Sequence, residues 1–396
     1  MTRQEPLPPN QAADRDLIPD ALRGFALFGI ILVNVAYFGT DVANGMTGAA
    51  LGSTLDEVAA FIVVALAQGK FYLLFSFLFG YATLYALKRP VGAVARWRAR
   101  SLALIVFGVL HATLLFIGDI LLTYGLLGLL LIPFLRAPAA RLRRATRVTF
   151  TVSIFVLLAL VGLVRLAELA GVDAQTTIVP AFEASVQGTD VLAATVDRTL
   201  LWLQTLPFVL LLQGPLAFAA FLVGLRAARV QLLSGAADGV PVRRWLVWGF
   251  GVGLPLQLLL AGVWLWNARS AAPLESVTLA STFAGFLVAP LVSLAYVAGV
   301  VALARRWPSR IAWLTAPGRW ALSVYLMQSV LLVWIFSGWG LGLFGRLPYA
   351  AVVLIGLLVA AGLALAARVA VSRLGGRGPF ERVFALLIRR LTFGRR

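Results

Sequence analysis

Residues 102–128 have the sequence LALIVFGVLHATLLFIGDILLTYGLLG, and this stretch decides the fold class. It is too apolar for anything other than two membrane-spanning helices that meet at Gly118 and Asp119, because about 20 such residues cross the ~30 Å hydrocarbon core. His111, in its middle, is the only histidine among the 396 residues. An ionisable side chain is costly to bury in hydrocarbon, so His111 marks a candidate functional site.

The composition of the whole chain also indicates a membrane protein. Hydrophobic residues make up 61% and charged residues 13%, against roughly 45–50% and about 25% in soluble domains, and the mean hydropathy is +0.93. The net charge of +18 does not indicate nucleic acid, since the basic residues do not cluster on one face with aromatics between them. With no cysteine and one histidine, we expect no disulfide and no metal site.

The apolar windows predict an all-α polytopic membrane protein with about ten transmembrane helices in one bundle. The windows lie near residues 21–39, 70–87, 100–117, 119–135, 148–168, 199–225, 244–266, 277–304, 320–339 and 347–370. Because Gln68, Gly69 and Lys70 interrupt the apolar run that starts at Val58, residues 55–68 are interpreted as an amphipathic or re-entrant segment before the second span.

Loop charges predict the orientation of the bundle. Basic residues, among them Lys88, Arg89 and Arg143, follow the even-numbered spans, whereas acids such as Asp173 and Asp197 follow the odd-numbered ones. Basic loops stay on the cytoplasmic side, so both termini are predicted to be cytoplasmic.

The predicted organisation has three parts: a cytoplasmic segment 1–20, a transmembrane domain 21–370 and a basic amphipathic tail 371–396. The tail is predicted to lie on the anionic cytoplasmic leaflet as an anchor. The long outer loop 169–198, with weak helical character near Val191, is interpreted as either a lid or a linker.

Two polar side chains share one face of span one. Arg23 and Asn34 are close to three whole helical turns apart, and Asp20 precedes them. In one interpretation Asp20 caps the helix, Arg23 snorkels to the inner interface and Asn34 bonds a neighbouring helix. In the other, this face belongs to a polar crevice that opens to the cytoplasm.

His111 is predicted to lie in the outer half of span three. A reversal at Gly118 brings Tyr124 to the depth of His111 and places Asp119, as the N-cap of span four, above both. The functional interpretation pairs the imidazole with these groups. The alternative is a histidine that only bonds a carbonyl or hydroxyl of a neighbouring helix.

Further polar residues lie in spans two and nine. Lys70 is placed at the outer end of span two, where outward snorkelling is favoured, with Ser76 further along the same span. Arg319 stands at the inner end of span nine. Tyr325, Gln328 and Ser329 follow at spacings of three and four, which gives a polar stripe suited either to helix association or to a substrate wall.

Several of these runs together resemble the YeiB-like family of bacterial membrane proteins (domain of unknown function 418). The runs are DALRGFALFGIILVN at 20–34, KFYLLFSFLFG at 70–80, His111 with GDILLTY at 118–124, GRWALSVYLMQS at 318–329 and GPFER at 378–382. That family in turn resembles transmembrane acyltransferases, including the heparan-glucosaminide N-acetyltransferase and bacterial O-acyltransferases. The O-acyltransferases carry a histidine where this chain has Asn34, while the glucosaminide enzyme is similar in having asparagine there and a histidine elsewhere.

The resemblance implies acyl transfer in the bacterial cytoplasmic (inner) membrane. A cytoplasmic donor, acyl-coenzyme A or acetyl-coenzyme A, gives its acyl group to a small-molecule, lipid-linked or glycan acceptor at the outer side. His111 is then the base or a transient acyl carrier, oriented by Asp119 or Tyr124, and Arg23 and Arg319 attract the donor phosphates. The alternatives are a transporter or lipid-handling protein, and a structural or regulatory one. The lipid bilayer is the expected partner, and a homodimer is left open.

Overall fold

The computed structural model describes residues 17–41, 51–87, 92–171, 178–234, 237–374 and 376–393. Residues 1–16 of the N-terminal segment, the basic pair Lys88 and Arg89, and Asp173 lie outside these ranges. The side of the membrane that the loop charges assign to these residues therefore stays a prediction.

Every regular element in the described ranges is helical, which confirms the all-α class. The α-helices are α1 (Leu17–Asn34), α2 (Ala36–Gly39), α3 (Thr54–Ile62), α4 (Lys70–Tyr81), α5 (Thr83–Leu87), α6 (Ala93–Leu114), α7 (Leu121–Leu130), α8 (Ala139–Leu169), α9 (Ile178–Gln187), α10 (Val191–Arg229), α11 (Val242–Trp248), α12 (Leu254–Ala268), α13 (Glu275–Arg306), α14 (Pro308–Arg319), α15 (Ala321–Phe336), α16 (Tyr349–Leu374) and α17 (Pro379–Phe393). Two π-helical turns, Val63–Ala67 and Gly249–Gly253, and a 3₁₀ turn, Ile132–Phe134, complete the set.

The helices have the lengths and surfaces of a membrane bundle. In the described part of the chain, seven are long and apolar enough to cross a bilayer, and the bent pair α14 and α15 makes up to eight. The outer face of α8 shows the membrane character directly, since Phe155, Leu158 and Leu166 are each more than 60% exposed. Side chains of this kind are stable on an outer surface that faces lipid rather than water.

Each of the ten predicted windows coincides with helical structure, but two of the helices fall short of a full span. Helix α6 carries Arg96, Arg98 and Arg100 in its first two turns, and α7 has 10 residues, or about 15 Å of length. The count of about ten and the cytoplasmic termini remain predictions.

The predicted interruption at Gln68, Gly69 and Lys70 is present, since Gln68 and Gly69 leave the helix and α4 begins at Lys70. Gly69 has φ of 83°, a left-handed conformation that glycine adopts without strain. Apart from this break, Thr54–Tyr85 forms one long apolar unit. The interpretation of residues 55–68 as an amphipathic or re-entrant segment stays a prediction.

A second broken span lies opposite the start of α1. Helices α14 and α15 meet at Trp320 with a bend of 72°. The α1–α14 contact is made through backbone, since a Cβ on Gly24 would lie 1.9 Å from the Leu314 carbonyl oxygen and one on Gly318 would lie 1.7 Å from that of Asp20. Only glycine permits this approach, which places Arg319 beside α1.

The loop 169–198, which is predicted to lie outside, and the tail both contain helices where they are described. Helix α10 begins at Val191, so the weak helical signal there was correct, and α9 packs against its start. Helix α17 packs against α6 and α15, while Val383, Leu386 and Leu391 remain exposed. The tail thus has one face on the bundle and one apolar face free to meet a bilayer.

Candidate functional site

Three side chains from distant parts of the sequence form a buried hydrogen-bonded chain. His111 Nδ1 lies 2.8 Å from Asp119 Oδ1, and His111 Nε2 lies 2.8 Å from Ser329 Oγ. All three residues are at most 5% exposed. A carboxylate only accepts hydrogen bonds, so Asp119 selects the tautomer with the proton on Nδ1 and leaves Nε2 to accept from the Ser329 hydroxyl.

The turn between α6 and α7 builds the Asp119–His111 pair. Helix α6 ends just after His111, and the chain reverses at Gly118 as predicted. The second Asp119 oxygen accepts the backbone N–H of Leu122 at 2.8 Å, which satisfies a free donor in the first turn of α7. Asp119 therefore acts on both helices, and it bonds His111 directly rather than lying above it.

Gly108 makes this turn sterically possible. A Cβ at this position would lie 2.2 Å from the Leu122 nitrogen and 2.7 Å from Asp119 Oδ2. The absence of a side chain on α6 thus lets α7 approach closely enough for the carboxylate to reach the imidazole.

Tyr124 does not pair with His111, so that part of the prediction is wrong. Its hydroxyl lies 2.9 Å from Ser76 Oγ and donates to the Tyr72 carbonyl oxygen at 2.8 Å. The nearer aromatic neighbour of the imidazole is Tyr325, whose ring centroid is 4.9 Å away. Tyr124 and Ser76 instead join α7 to α4.

A cavity of about 480 Å³ lies next to this chain of hydrogen bonds. Its wall includes Tyr124 and Tyr325, and it also includes arginines, two of them from the first turns of α6, and the tail helix. The arginines are Arg23, Arg96, Arg100 and Arg319. Since Tyr325 lines the cavity and also contacts His111, one aromatic ring separates the cavity from the imidazole.

Asp20 holds two of the arginines at the cavity. Arg23 Nη1 donates to Asp20 Oδ1 at 2.7 Å, and Arg319 Nε lies 3.8 Å from Asp20 Oδ2. Asp20 is 2% exposed and lies in the first turn of α1. It therefore pairs with arginines rather than capping the helix.

Arg100 is held differently, between aromatic rings. Its guanidinium carbon lies 5.4 Å from the Phe79 ring centroid and 5.8 Å from that of Phe384. In the described part of the chain it has no ion pair. Because Arg100 is half-buried and lines the cavity, its positive charge is available to an anion there.

The tail helix forms part of the cavity wall, which the sequence did not indicate. Glu381 and Phe384 line the cavity. The Glu381 carboxylate accepts the backbone N–H groups of Leu322 and Ser323 at 2.8 and 3.1 Å, and the Ser323 hydroxyl at 2.5 Å. A carboxylate near the start of a helix is the expected partner for the backbone N–H groups that the first turn leaves without a partner in the helix. Helix α17 therefore caps α15 as well as forming part of the cavity wall.

Lys70 lies in a second polar centre and does not snorkel outward. It is 1% exposed, and its Nζ donates to the Val64 carbonyl oxygen at 2.9 Å and to Gln257 Oε1 at 2.8 Å. Gln257 is held by its own bond to the Gly285 carbonyl oxygen at 2.7 Å. The ammonium thus satisfies acceptors that the helix break at Gln68 and Gly69 leaves free.

Two further predicted residues, Gln328 and Asn34, belong neither to the cavity wall nor to the polar centres described above. Gln328 is buried and donates to the Leu27 carbonyl oxygen at 3.4 Å, which joins α15 to α1. Asn34 is half-buried at the last residue of α1. The stripe of span nine therefore divides: Tyr325 and Ser329 face His111, and Gln328 joins helices.

The fold and the site together define a polytopic helical membrane protein with a buried Asp–His–Ser chain beside an arginine-lined cavity. The polypeptide belongs to the family of proteins of unknown function called DUF418, whose family model matches residues 227–395.

Its similarity to an uncharacterised protein, YxaH of Bacillus subtilis strain 168, is 30% identity over 385 residues and covers 90% of each chain. The uncharacterised protein YeiB of Escherichia coli K12 is 36% identical over 121 residues, about 30% of each chain. An uncharacterised 39.9 kDa protein of Bacillus acidopullulyticus is 38% identical over 120 residues, 29% of this chain and 32% of its own. No solved structure matches the chain.

Proposed function

We propose that this protein transfers an acyl group across a bacterial cytoplasmic membrane, from a coenzyme A thioester inside to a hydroxyl or amine acceptor outside. The observation that carries the proposal is the cavity, whose wall contains both four arginines (the arginine end) and the tyrosine beside His111 (the imidazole end). An elongated ligand with phosphates at one end and a reactive carbonyl at the other matches this distribution of charge.

The arginine end suits the charged part of the donor. Guanidinium groups bind phosphate oxygens through paired hydrogen bonds. Arg23 is hydrogen-bonded to Asp20, and Arg319 Nε lies 3.8 Å from the same carboxylate, so part of the charge of both arginines is compensated. Arg100 adds a cation held by aromatic rings.

The imidazole end suits general base catalysis. With its Nδ1 proton held by Asp119, His111 presents an acceptor nitrogen at Nε2, as a base requires. Phe116, whose ring is 6.0 Å from that of His111, also lines a small pocket with Arg198 and Ser337. This pocket shares no lining residue with the larger cavity, so it gives the acceptor a separate approach to the imidazole.

The test uses purified protein with a panel of coenzyme A thioesters from acetyl to long acyl chains. Thiol release is measured with a thiol-reactive dye, for which a chain without cysteine gives no background. We expect turnover that falls at least about 10²-fold in His111→Ala. No release from any donor by the folded wild type would remove the proposal.

A binding experiment tests the arginine end separately. Arg100→Ala is expected to weaken coenzyme A binding by about tenfold or more, the loss of one charge-assisted contact. Arg165→Ala is the matched control, because this arginine is 46% exposed and pairs with Glu168 on the bundle surface. Equal affinity in both variants would contradict a donor site at the arginines.

A second candidate function is transport, which the break beside Lys70 favours. Helices interrupted near the membrane centre recur at transporter binding sites, and a buried lysine is a candidate proton carrier. Proteoliposomes with an entrapped pH dye test this candidate. Proton flux that is lost in Lys70→Met and kept in His111→Ala would favour transport, while absence of flux in the wild type would remove it.

A further inference from the structure

The hydroxyl of Ser329 is directed unlike those of several other buried helical serines. Ser76 and Ser153 each donate to the carbonyl oxygen four residues earlier, at 2.8 and 2.9 Å. This back-bonding is the usual arrangement for serine within a helix. In the described structure the partner of the Ser329 hydroxyl is instead the imidazole of His111.

The three side chains stand in the order of a nucleophile, its base and the group that orients the base. Ser329 Oγ is 2.8 Å from Nε2, and Asp119 Oδ1 is 2.8 Å from Nδ1, both within the range of a working triad. Here both ring nitrogens are bonded, and the carboxylate is itself fixed by Leu122.

We infer that Ser329 is the acyl carrier of this protein, a role that rests on the proposed acyl transfer. Ser329 Oγ attacks the thioester carbonyl while its proton passes to His111 Nε2. The carbon–sulfur bond breaks, and the thiolate leaves with that proton as coenzyme A thiol. The acceptor hydroxyl or amine then attacks the serine ester, gives its proton to Nε2, and the proton returns to Ser329 Oγ as the carbon–oxygen bond breaks.

Tyr325 controls access to this serine. Residues four apart lie on one helix face, so Tyr325 and Ser329 are neighbours on α15. The Tyr325 ring lines the cavity and lies 4.9 Å from the His111 ring. The thioester reaches Ser329 when the Tyr325 side chain rotates away. The reacting carbonyl then lies between the cavity and His111.

A fluorophosphonate probe tests the nucleophile without assuming a donor. We expect covalent labelling of Ser329 in the wild type, located by peptide mass mapping. Labelling should slow at least about 10²-fold in His111→Ala and in Asp119→Asn, which keeps the side-chain volume and disturbs the tautomer. Ser153→Ala should label like the wild type, since Ser153 bonds only its own helix backbone. Thermal unfolding of each variant shows that it is folded.

Acid quenching after incubation with acetyl-coenzyme A tests the intermediate. An acetyl group on Ser329 survives acid as an oxygen ester, whereas an acetyl-imidazole on His111 does not. A stable adduct on Ser329 that is absent in Ser329→Ala supports the carrier.

The failures of the two proposals are distinguishable. Thiol release by a wild type whose Ser329 is neither labelled nor acylated would overturn the carrier and leave acyl transfer standing. Labelled Ser329 with no release from any thioester would overturn both the carrier role and the proposed donor.

Discussion

Replacing Gly108 by alanine tests whether the turn between α6 and α7 sets the geometry of the imidazole. The added Cβ would lie 2.2 Å from the Leu122 nitrogen, where ordinary contacts begin at 3.4 Å. The start of α7 must therefore move by about 1 Å or more. A shift of that size stretches the 2.8 Å bond between Asp119 and His111 to or beyond the hydrogen-bond limit.

This displacement is expected to lower both the free energy of unfolding and the rate of thiol release. Overpacking at a close helix contact lowers the free energy of unfolding by about 1–3 kcal/mol. A misplacement of about 1 Å in a catalytic group costs on the order of 10²-fold in rate, which applies to thiol release. Gly162→Ala on α8 is the control, because no atom lies within 4 Å of its added Cβ and alanine is the better helix former by about 0.5–1 kcal/mol.

The assay exploits the single histidine. Protein labelled with ¹⁵N-histidine and purified on a tag without histidine gives the two ring nitrogens of His111 alone. The wild type and Gly162→Ala should show one tautomer with the proton on Nδ1, and Gly108→Ala should show a mixture. A Gly108→Ala spectrum and unfolding curve identical to those of the wild type would refute the steric argument.

Three further predictions concern other parts of the fold. Lys70→Met leaves two buried carbonyl acceptors without a donor and should lower the free energy of unfolding by about 2–4 kcal/mol, against less than ~1 kcal/mol for the exposed Arg165→Met; equal losses would contradict a buried structural ammonium. Glu381→Ala removes the cap of α15 and should cost about 1–2 kcal/mol in thermal unfolding, and an unchanged midpoint would argue against the cap. In intact cells an impermeant maleimide should label Gly171→Cys but not Arg143→Cys, which mark the two ends of α8, and the reverse pattern would invert the orientation.

The apolar windows and the turn at Gly118 were predictable because both depend on neighbours in sequence. Depth along a helix can also be counted, at 1.5 Å per residue. The rotation of a helix about its own axis, which decides the face that a residue occupies, depends on tertiary packing. For that reason Tyr124 was predicted to lie at His111, whereas it faces Ser76.

Contacts between segments far apart in the sequence could not be predicted for the same reason. Ser329 is 218 residues from His111, and its hydroxyl could have been assigned equally to helix association. Lys70 begins α4, as the sequence pattern predicts, but its predicted outward snorkelling is wrong because its acceptors on Val64 and Gln257 are brought together by tertiary packing. Glu381 gave no signal, since its partners are backbone N–H groups on another helix.

The tail helix has a consequence for how the protein is made. Glu381, Phe384 and Ile388 belong to the cavity wall, and they follow all the other helices of the bundle in chain order. The bundle helices are therefore synthesised before the cavity is closed, and the wall is complete only once α17 has been made. Ligand binding in this cavity would then distinguish chains that include α17 from nascent or truncated chains that lack it.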